Sequence, residues 1–375
     1  MRILQICSAR ALGGGERHLA DLANGLARDR HDVYAALVPG SPLQDELAEL
    51  PPENIIELPL RNSLDLTSAL KLAQFVRRNQ IEIVHAHLAR DYPLAAFAAR
   101  RGDGARLILT RHVLFPLSRI HRVLLRRVAR VIAVSQAVAD GLIEQDIFER
   151  DKIVVIHNGV DLGRFAKTRE DNSAERQKIG AKFCVGTIGE LAPIKGHENF
   201  LRAAAIVSSR RADVDFAIAG TDKSRTGENQ RLLERMIDEL NLRQCVRITG
   251  WADDMVALLG TLDVFVSASR SESFGIAMVE AMAGGVPVVA TMTAGAREII
   301  DADKTGVLVP IGDAEALAEA IRKLLDDPQR RARLADDARR MVSERFSLDR
   351  MVARTEQVFL DVLERPKGTG QPARE

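Results

Sequence analysis

Two glutamates, Glu272 and Glu280, lie eight positions apart in the stretch SESFGIAMVEAMAGGVPVVAT. The segment VFVSAS ahead of them has the pattern of a buried strand, and we predict that a helix begins near Phe274. Taken alone, each glutamate is more often a solvated or capping residue. The two glutamates together with the Phe-Gly pair and the GGVPVVAT segment favour a ligand site instead.

The start of this helix has the features of an anion site. Gly275 and Ile276 would present backbone N–H groups that have no partner inside the helix, and such groups bind phosphate. Glu280 follows Ile276 by four residues and shares its helix face, where it could accept hydrogen bonds from a ribose diol. Glu272, before the helix, would lie where a sugar on the phosphate lies. The pattern therefore favours a phosphorylated, hydroxyl-rich ligand.

Other candidates follow predicted strands, where open parallel sheets bind ligands. Lys195 comes after the strand FCVGTIG and before a helix, which favours a functional residue, although an exposed loop lysine is the ordinary alternative. Gly14 and Gly15 lie in GGGERHLADLANGLA, which fits a tight turn. This is not a dinucleotide fingerprint, because the third glycine position is His18.

Three histidines also lie at predicted strand ends. His112 ends the strand RLILT and faces the same edge, while His85 and His87 share one strand face by their spacing of two. Two histidines without an acidic or cysteine partner make a weak metal site. We predict no bound zinc, and the absence of a DxD-type carboxylate pair predicts that no metal cofactor is needed.

The bulk composition indicates a two-domain intracellular protein. A chain of 375 residues exceeds one ordinary core, and a net charge of +1 argues against a nucleic-acid partner. Cys7, Cys184 and Cys245 form no CxxC pair and are expected to be buried thiols in a reducing compartment. No segment is long and apolar enough for a signal peptide or membrane span, which predicts a cytoplasmic location.

Short apolar strands alternate with amphipathic helices, the pattern of doubly wound α/β domains with parallel sheets. We predict an N-terminal Rossmann-like domain over residues 1–165, a linker over 166–181 and a C-terminal Rossmann-like domain over 182–345. A last helix is predicted over about 348–364 and a disordered tail over 365–375. The predicted strands are RILQIC, DVYAALV, IEIVHAH, RLILT, RVIAVS, IVVIHNG, FCVGTIG, VDFAIAG, VRITG, VFVSAS, PVVAT and GVLVP.

The ordered set of motifs resembles family four of the retaining nucleotide-sugar glycosyltransferases, the glycosyl transferases group 1. ESFGIAMVEAMAGGVPVVAT resembles its E-x7-E signature, GTIGELAPIKGHENFLRA its phosphate-gripping segment and GGGERHLADLANGLA its glycine loop. RFSLDRMV…FLDVL resembles its C-terminal helix, which packs back onto the first domain. The resemblance implies the GT-B fold, with two Rossmann-like domains and an active site in the cleft between them. It implies that residues 1–165 form the acceptor-side domain and residues 182–345 the nucleotide-sugar-binding domain.

The resemblance also implies roles for individual residues. Glu280 would hold the ribose and Glu272 the transferred sugar, while Lys195 would neutralise the diphosphate. Gly14, Gly15, Phe274, Gly275 and Ile276 complete the implied donor site. His112 would contact the donor sugar near the reacting centre, and we assign His87 and Arg111 to the acceptor side.

One position departs from the family pattern. Glu190 stands where the family usually has an arginine for the phosphates, and a carboxylate pointing inward would repel a diphosphate. Lys195 could carry the charge alone or with Arg17, Arg111 or Arg270, or Glu190 could turn outward.

A basic, partly apolar segment is the candidate membrane contact. Residues 100–130 contain nine arginines and one acid, Asp103. The segment fits a surface that rests on anionic lipid, which suits a lipid-linked acceptor. It equally fits an ordinary amphipathic helix with solvated arginines, and Leu124, Leu125 and Val128 would pack inward in either case.

The function that the resemblance implies is retaining transfer of a sugar, of the hexosyltransferase type, from a nucleoside diphosphate to an acceptor hydroxyl. Lipopolysaccharide or another cell-surface glycan is the expected product, made in the cytoplasm or at the inner face of the membrane. The alternatives are a nucleotide-sugar epimerase of GT-B fold and a non-catalytic nucleotide- or glycan-binding module. The base, the sugar and the acceptor are not specified by these motifs.

Overall fold

The computed structural model describes residues 1–165, 181–250 and 255–364. These residues form two compact units, one of Met1–Gly159 with the helix Leu348–Glu364 and one of Val160–Ser347. The tail predicted over 365–375, and the linker predicted over 166–181 except for its last residue, lie outside the described ranges.

The described residues of the first unit form a seven-stranded parallel sheet of order β3-β2-β1-β4-β5-β6-β7. Each strand is largely apolar, as expected for a parallel sheet covered on both faces. The strands are β1 (Arg2–Cys7), β2 (Asp32–Leu37), β3 (Ile55–Glu57), β4 (Ile83–Ala86), β5 (Arg106–Arg111), β6 (Arg130–Ala133) and β7 (Ile153–Val155).

Helices connect these strands, and side chains cap two of them. Asp65 accepts from Ser68 N–H at the start of one helix, and Ser135 accepts from Val138 N–H at the start of another. The helices are α1 (Gly14–Arg28), α2 (Leu66–Arg78), α3 (Tyr92–Arg101), α4 (His121–Leu124) and α5 (Gln136–Glu144), with 3-10 turns at Gln44–Glu46, Pro52–Asn54 and Arg150–Lys152.

The described residues of the second unit form a six-stranded parallel sheet of order β10-β9-β8-β11-β12-β13. Phe200 and Phe216 meet edge to face in its core, with ring centroids 6.0 Å apart. Its strands are β8 (Phe183–Ile188), β9 (Val214–Ala219), β10 (Val246–Gly250), β11 (Val264–Ser267), β12 (Val288–Thr291) and β13 (Val307–Val309).

The helices of the second unit follow the same plan. Thr293, Asp313 and Asp327 cap three of them through their side chains. The helices are α6 (Leu162–Phe165), α7 (His197–Ser208), α8 (Glu228–Glu239), α9 (Met255–Thr261), α10 (Ile276–Ala283), α11 (Ala294–Ile299), α12 (Ala314–Asp326) and α13 (Pro328–Arg345), with a 3-10 turn at Pro193–Lys195.

The final helix, α14 (Leu348–Glu364), belongs to the first unit. Its residues Met351, Val352 and Phe359 are buried in the same core as α1 and β1. A Cβ at Gly25 of α1 would lie 2.5 Å from Val352 Cγ2, so a glycine is required where the two helices touch. His31 Nε2 lies 2.7 Å from Glu356 Oε1 and adds a polar contact at the edge of this core.

The predicted fold class is confirmed, since two parallel sheets with helical connections are present. Each of the twelve predicted strand segments contains a strand, and β3 is the one described strand that the sequence pattern missed. β3 is a short edge strand whose residues are only partly buried, so it lacks the apolar run of the others. None of the helices in the described ranges is both long enough and apolar enough to span a bilayer.

Candidate active site

Lys195 and Glu272 form an ion pair at the carboxyl edge of the second sheet. Lys195 lies in the turn that follows β8, and Glu272 lies in the loop that follows β11, the neighbouring strand. Lys195 Nζ is 2.7 Å from Glu272 Oε2, and Ser269 Oγ donates to the same oxygen at 3.3 Å. The structure therefore brings together two residues that the sequence analysis assigned to the donor.

This pair is partly shielded from water, since the side chains of Lys195 and Glu272 are 29% and 13% exposed. A charge-assisted hydrogen bond of this length is stronger than one between neutral groups. The two loops are also joined through the backbone, because Arg270 N–H donates to Ile194 O at 2.8 Å. The ammonium is thus held at a fixed point of the strand edge, where it can meet an anionic ligand.

The helix predicted to begin near Phe274 is present. Its first residue is Ile276, and Gly275 is the N-cap residue with φ 109° and ψ 60°, a conformation that favours glycine. The Phe274 side chain just before it is buried and packs edge to face on Phe346 with centroids 5.5 Å apart. The first N–H groups of α10 lack partners within the helix, so the backbone donors on which the predicted anion site depends are present.

Glu280 lies one turn into this helix from Ile276, on the same face, and both side chains are half-buried. Glu272, Gly275 and Ile276 therefore surround the start of α10, and Glu280 lies beyond it. The order of groups along this face is a carboxylate, backbone donors and a second carboxylate.

Gly295 supports the Glu272 loop from below. Its N–H donates to Glu272 O at 3.0 Å. A Cβ at this position would lie 2.4 Å from Phe274 O and 2.9 Å from Glu272 O. Any side chain would push the loop away, so glycine at the start of α11 fixes where Glu272 lies. The sequence analysis did not identify this residue.

Glu190 and Arg270 have other partners. Glu190 Oε2 is 3.9 Å from Lys223 Nζ, and the backbone oxygen of Glu190 accepts from His197 Nε2 at 2.9 Å. Arg270 Nη2 is 3.0 Å from Glu198 Oε2. Lys223 thus offsets the charge of Glu190, while Lys195 pairs with Glu272.

The glycine loop of the first unit lies beside one of the histidines. α1 begins at Gly14, after the extended N-cap Gly13. A Cβ at Gly15 would lie 3.4 Å from His112 Cγ, so the backbone of Gly15 rests against the imidazole. The structure thereby brings the loop and His112 together, as the candidate site requires.

His112 belongs to a cluster of four histidines at the carboxyl edge of this sheet. His87 Nδ1 is 3.3 Å from His112 Nε2, and His87 Nε2 donates to Gln5 Oε1 at 2.9 Å. His85 Nε2 bonds Thr110 Oγ1 at 2.7 Å, and His18 of α1 lies edge-on to His112 with centroids 4.8 Å apart. His18 is the member that the sequence analysis missed, although its position one turn after Gly14 places it on the same helix face.

These imidazoles are held neutral. Burial lowers the pKa of His18 to about 4 and the pKa of His85 to about 3. Burial first, and then the neighbouring histidines, hold the pKa values of His87 and His112 well below the usual range. At neutral pH, His112 therefore acts as a neutral hydrogen-bonding group rather than as a cation.

His87 and Arg111, the residues assigned to the acceptor side, are both buried. Gln5 occupies one ring nitrogen of His87, and the Arg111 guanidinium donates to Phe115 O. Neither side chain reaches the surface, which does not favour direct contact with an acceptor. Arg111 instead shapes the loop after β5, in which Phe115 is exposed.

A buried polar network at the end of β1 was also missed. Asp91 accepts from the backbone N–H of Ser8 at 2.8 Å and from its hydroxyl, and Arg90 donates to the same hydroxyl at 2.5 Å. Burial raises the pKa of Asp91 to about 6. The network anchors the segment that leads from β1 into the glycine loop. Its residues are scattered in sequence, so no motif marks it.

Comparison with known proteins gives two family matches. Residues 12–164 match the model of glycosyltransferase family 4, and residues 168–341 match the model of the glycosyl transferases group 1. The lipopolysaccharide core biosynthesis glycosyltransferase LpsE of Rhizobium meliloti is 28% identical over 346 residues, which cover 89% of this chain and 92% of that protein. The N-acetyl-alpha-D-glucosaminyl L-malate synthase of Bacillus anthracis is 26% identical over 315 residues, covering 80% of each chain.

Among solved structures, Anabaena HepE in complex with UDP and glucose matches with a TM-score of 0.85 and 26% identity, covering 96% of this chain and 99% of that one. The two family models meet near the boundary between the two units and together span most of the chain. The paired sheets, the E-x7-E glutamates and these matches agree: the chain belongs to glycosyltransferase family 4 and is a group 1 glycosyltransferase of the GT-B fold.

Proposed function

We propose that the protein transfers a sugar from a nucleoside diphosphate sugar to an acceptor hydroxyl with retention of the anomeric configuration. The observation that carries the proposal is the Lys195–Glu272 pair beside the start of α10. It supplies a cation and backbone donors for a diphosphate next to a carboxylate for sugar hydroxyls. HepE was solved with UDP and glucose, which makes UDP sugars the first donors to test.

The proposed chemistry depends on the stabilisation of the leaving diphosphate. Negative charge develops on its oxygens as the glycosidic bond breaks, and pre-aimed N–H groups with a lysine stabilise that charge where it forms. The leaving phosphate takes the proton of the acceptor hydroxyl, which attacks the same face of the sugar. Because Lys195 and the N–H groups supply the positive potential, we propose that the reaction needs no metal cofactor.

Glu280 is the proposed ribose ligand and Glu272 the ligand of the transferred sugar. Gly14, Gly15 and His112 are proposed to complete the donor site. A neutral His112 can accept or donate a hydrogen bond to a sugar hydroxyl without adding charge. Glu190 lies 3.9 Å from Lys223, and we propose that Lys195 and the backbone N–H groups of α10 bind the diphosphate without an arginine at position 190.

The product is proposed to be a cell-surface glycan, since LpsE acts in lipopolysaccharide core biosynthesis and matches over most of both chains. The segment around α4 supports a membrane-bound acceptor. Phe115, Ile120 and Val123 are 66%, 61% and 69% exposed, and they alternate with exposed arginines. We propose that this segment rests on anionic lipid at the inner face of the membrane.

The segment is not the packed amphipathic helix that the sequence also allowed. Only His121–Leu124 is helical. Leu125 and Val128 are buried, as expected, but Leu124 is 45% exposed, so its assignment to packing is wrong. The segment therefore exposes one more apolar side chain, that of Leu124, than the sequence pattern predicted.

Calorimetric titration of the full chain with UDP, GDP, ADP and their common sugar conjugates tests the proposal. We expect one nucleotide to bind well and Glu280→Ala to weaken that binding, because a ribose ligand is lost. Glu315→Ala, an exposed glutamate of the same unit, is the matched control. Absence of binding to every nucleotide would contradict the proposal and favour a non-catalytic module.

Turnover distinguishes transfer from epimerisation. We expect donor consumption to depend on an added glycan or lipid-linked acceptor, with slow hydrolysis in its absence. Interconversion of the nucleotide sugar without any acceptor would instead identify an epimerase.

A further inference from the structure

Three histidines of the first unit converge on one point. His18, His87 and His112 each offer a ring nitrogen, and these nitrogens lie within 4.8 Å of one another. They come from α1 and from the ends of β4 and β5, so the fold, not a sequence motif, brings them together. Among the described ranges this is the one such group of potential metal ligands.

The spacing suits a small transition-metal ion. Ligand nitrogens about 2.0–2.1 Å from a tetrahedral zinc ion lie about 3.3 Å apart. His87 Nδ1 and His112 Nε2 are separated by 3.3 Å. The other nitrogen-to-nitrogen distances are no more than 4.8 Å, so the proposed binding requires the rings to move closer together.

The surroundings orient the ligands in the way metal sites require. His87 donates from Nε2 to Gln5 Oε1 at 2.9 Å, which leaves the lone pair of Nδ1 directed at the cluster. Metal-binding histidines usually donate their other N–H to such an oxygen.

His18 supplies a second, independent sign of a ligand. It is 3% exposed, and its Nδ1 makes no hydrogen bond of normal geometry within the described residues, although the Asn158 side chain interacts with this imidazole. A buried polar atom without a well-formed hydrogen bond is destabilising, and a bound ion is one partner that would satisfy it. His112 is half-buried, so it gives an ion access to the cluster from solvent.

The expectation of no bound zinc rested on His85 and His87 alone, and the structure gives a different group of three histidines. We propose that His18, His87 and His112 bind one transition-metal ion of the zinc type. Three imidazoles with one open position are a ligand set that zinc accepts. The set has no anionic ligand, and Arg111 lies beside His112, so the affinity falls below that of a structural zinc site. The ion is not part of the transfer chemistry.

One consequence rests on the proposed function, whereas the binding itself does not. An ion on His112 takes the nitrogen lone pair that we assign to the donor sugar. Bound metal would then inhibit transfer, and a chelator would restore it.

Competition with a chromophoric chelator measures the binding directly on the full chain without donor or acceptor. We expect about one Zn²⁺ per chain at high affinity and a loss on the order of tenfold or more for His112→Ala and His18→Ala. Co²⁺ is the second probe, because the visible absorption of the Co²⁺-loaded protein reports the coordination number of the ion, and a four-coordinate site absorbs far more strongly than Co²⁺ in water. Circular dichroism verifies the folding of each variant.

His85→Gln is the matched control, since His85 is buried in the same cluster but bonds Thr110 and lies outside the three-histidine group. His121→Ala, at a half-buried histidine of α4 far along the chain from the three ligands, reports adventitious binding. The proposal is overturned if the protein binds no stoichiometric Zn²⁺, or if the ligand variants bind as well as these controls. Neither outcome bears on sugar transfer, which the nucleotide titration tests separately.

Discussion

At the scale of single residues, the notable feature is that the two charged groups assigned to the donor are paired with each other. Lys195 and Glu272 meet at 2.7 Å. A diphosphate that engages Lys195 replaces the carboxylate partly or wholly as its partner, and Glu272 then gains freedom to accept from sugar hydroxyls. The pair keeps both side chains ordered and close to where each would act.

Lys195→Ala is expected to lower kcat/KM by about 10²–10³-fold, because it removes one donor from the developing charge of the leaving group. Steady-state kinetics with the donor identified by calorimetry measure this effect. Lys304→Ala, an exposed lysine of the same unit, is the control. A loss smaller than tenfold would contradict the role given to Lys195.

The buried histidines predict a pH dependence of stability. The pKa values of His18 and His85 are lowered to about 4 and about 3, whereas the unfolded chain titrates near 6.5. The unfolded state therefore binds more protons below pH 6.5, and the free energy of unfolding falls as the pH falls. At pH 5.5 each of these two histidines lowers it by about 1.4 kcal/mol.

Urea unfolding at pH 7.5 and 5.5, followed by circular dichroism, checks this effect. His85→Gln retains a group that can bond Thr110 but does not titrate, so we expect the loss between the two pH values to shrink by about 1.4 kcal/mol. An unchanged difference between pH 7.5 and 5.5 would show that His85 titrates alike in both states.

At the scale of elements, strand ends and helix starts decide where the chemistry lies. Gly295 at the start of α11 holds the backbone of the Glu272 loop through a 3.0 Å hydrogen bond. The position of Glu272 therefore depends on an element that never touches the ligand in the proposed site.

Gly295→Ala is expected to reduce donor affinity and turnover at least tenfold while the protein stays folded, since a Cβ would lie 2.4 Å from Phe274 O. Gly141→Ala is the matched control. A Cβ there meets nothing within 4 Å, and alanine in the middle of α5 should raise the free energy of unfolding by about 0.5–1 kcal/mol. Nucleotide calorimetry and thermal unfolding measure both variants. Equal nucleotide binding by the two variants would argue against the positioning role.

Most elements could be predicted from the sequence, because buried parallel strands are apolar along their whole length. β1 and β10 match their predicted segments residue for residue. The start of the helix at Ile276 could be placed only to within two residues, because the sequence does not show that Gly275 takes the left-handed N-cap conformation. The histidine cluster could be predicted only in part. The spacing of two places His85 and His87 on one strand face, but no local pattern places His18 beside them.

At the scale of the whole molecule, positive charge is concentrated in one segment although the net charge is small. The net charge is +1, yet residues 100–130 hold nine arginines and one acid. A basic surface with exposed apolar side chains can bind an anionic bilayer although the molecule as a whole is close to neutral.

The double variant Phe115→Ser/Val123→Ser is expected to weaken binding to vesicles of anionic lipid on the order of tenfold at low salt, because two exposed apolar side chains no longer enter the interface. Sedimentation with vesicles measures it, and raised salt should weaken the wild-type protein as well. Ile311→Ser, which removes an exposed apolar residue of the second unit, is the control. If the wild-type protein fails to sediment with anionic vesicles at low salt, the membrane contact is wrong.

The packing of α14 against α1 bears on how the protein is made. Ribosomes deliver the N-terminal part first, and domains generally fold as units in that order. Here Met351, Val352 and Phe359 complete the core around β1, but they are synthesised only after the whole second unit. Until α14 is synthesised, the apolar surface of α1 that α14 covers stays exposed, although the second unit is already able to fold. A nascent chain stalled before Leu348 should bind chaperones through this uncovered groove and release them once α14 emerges.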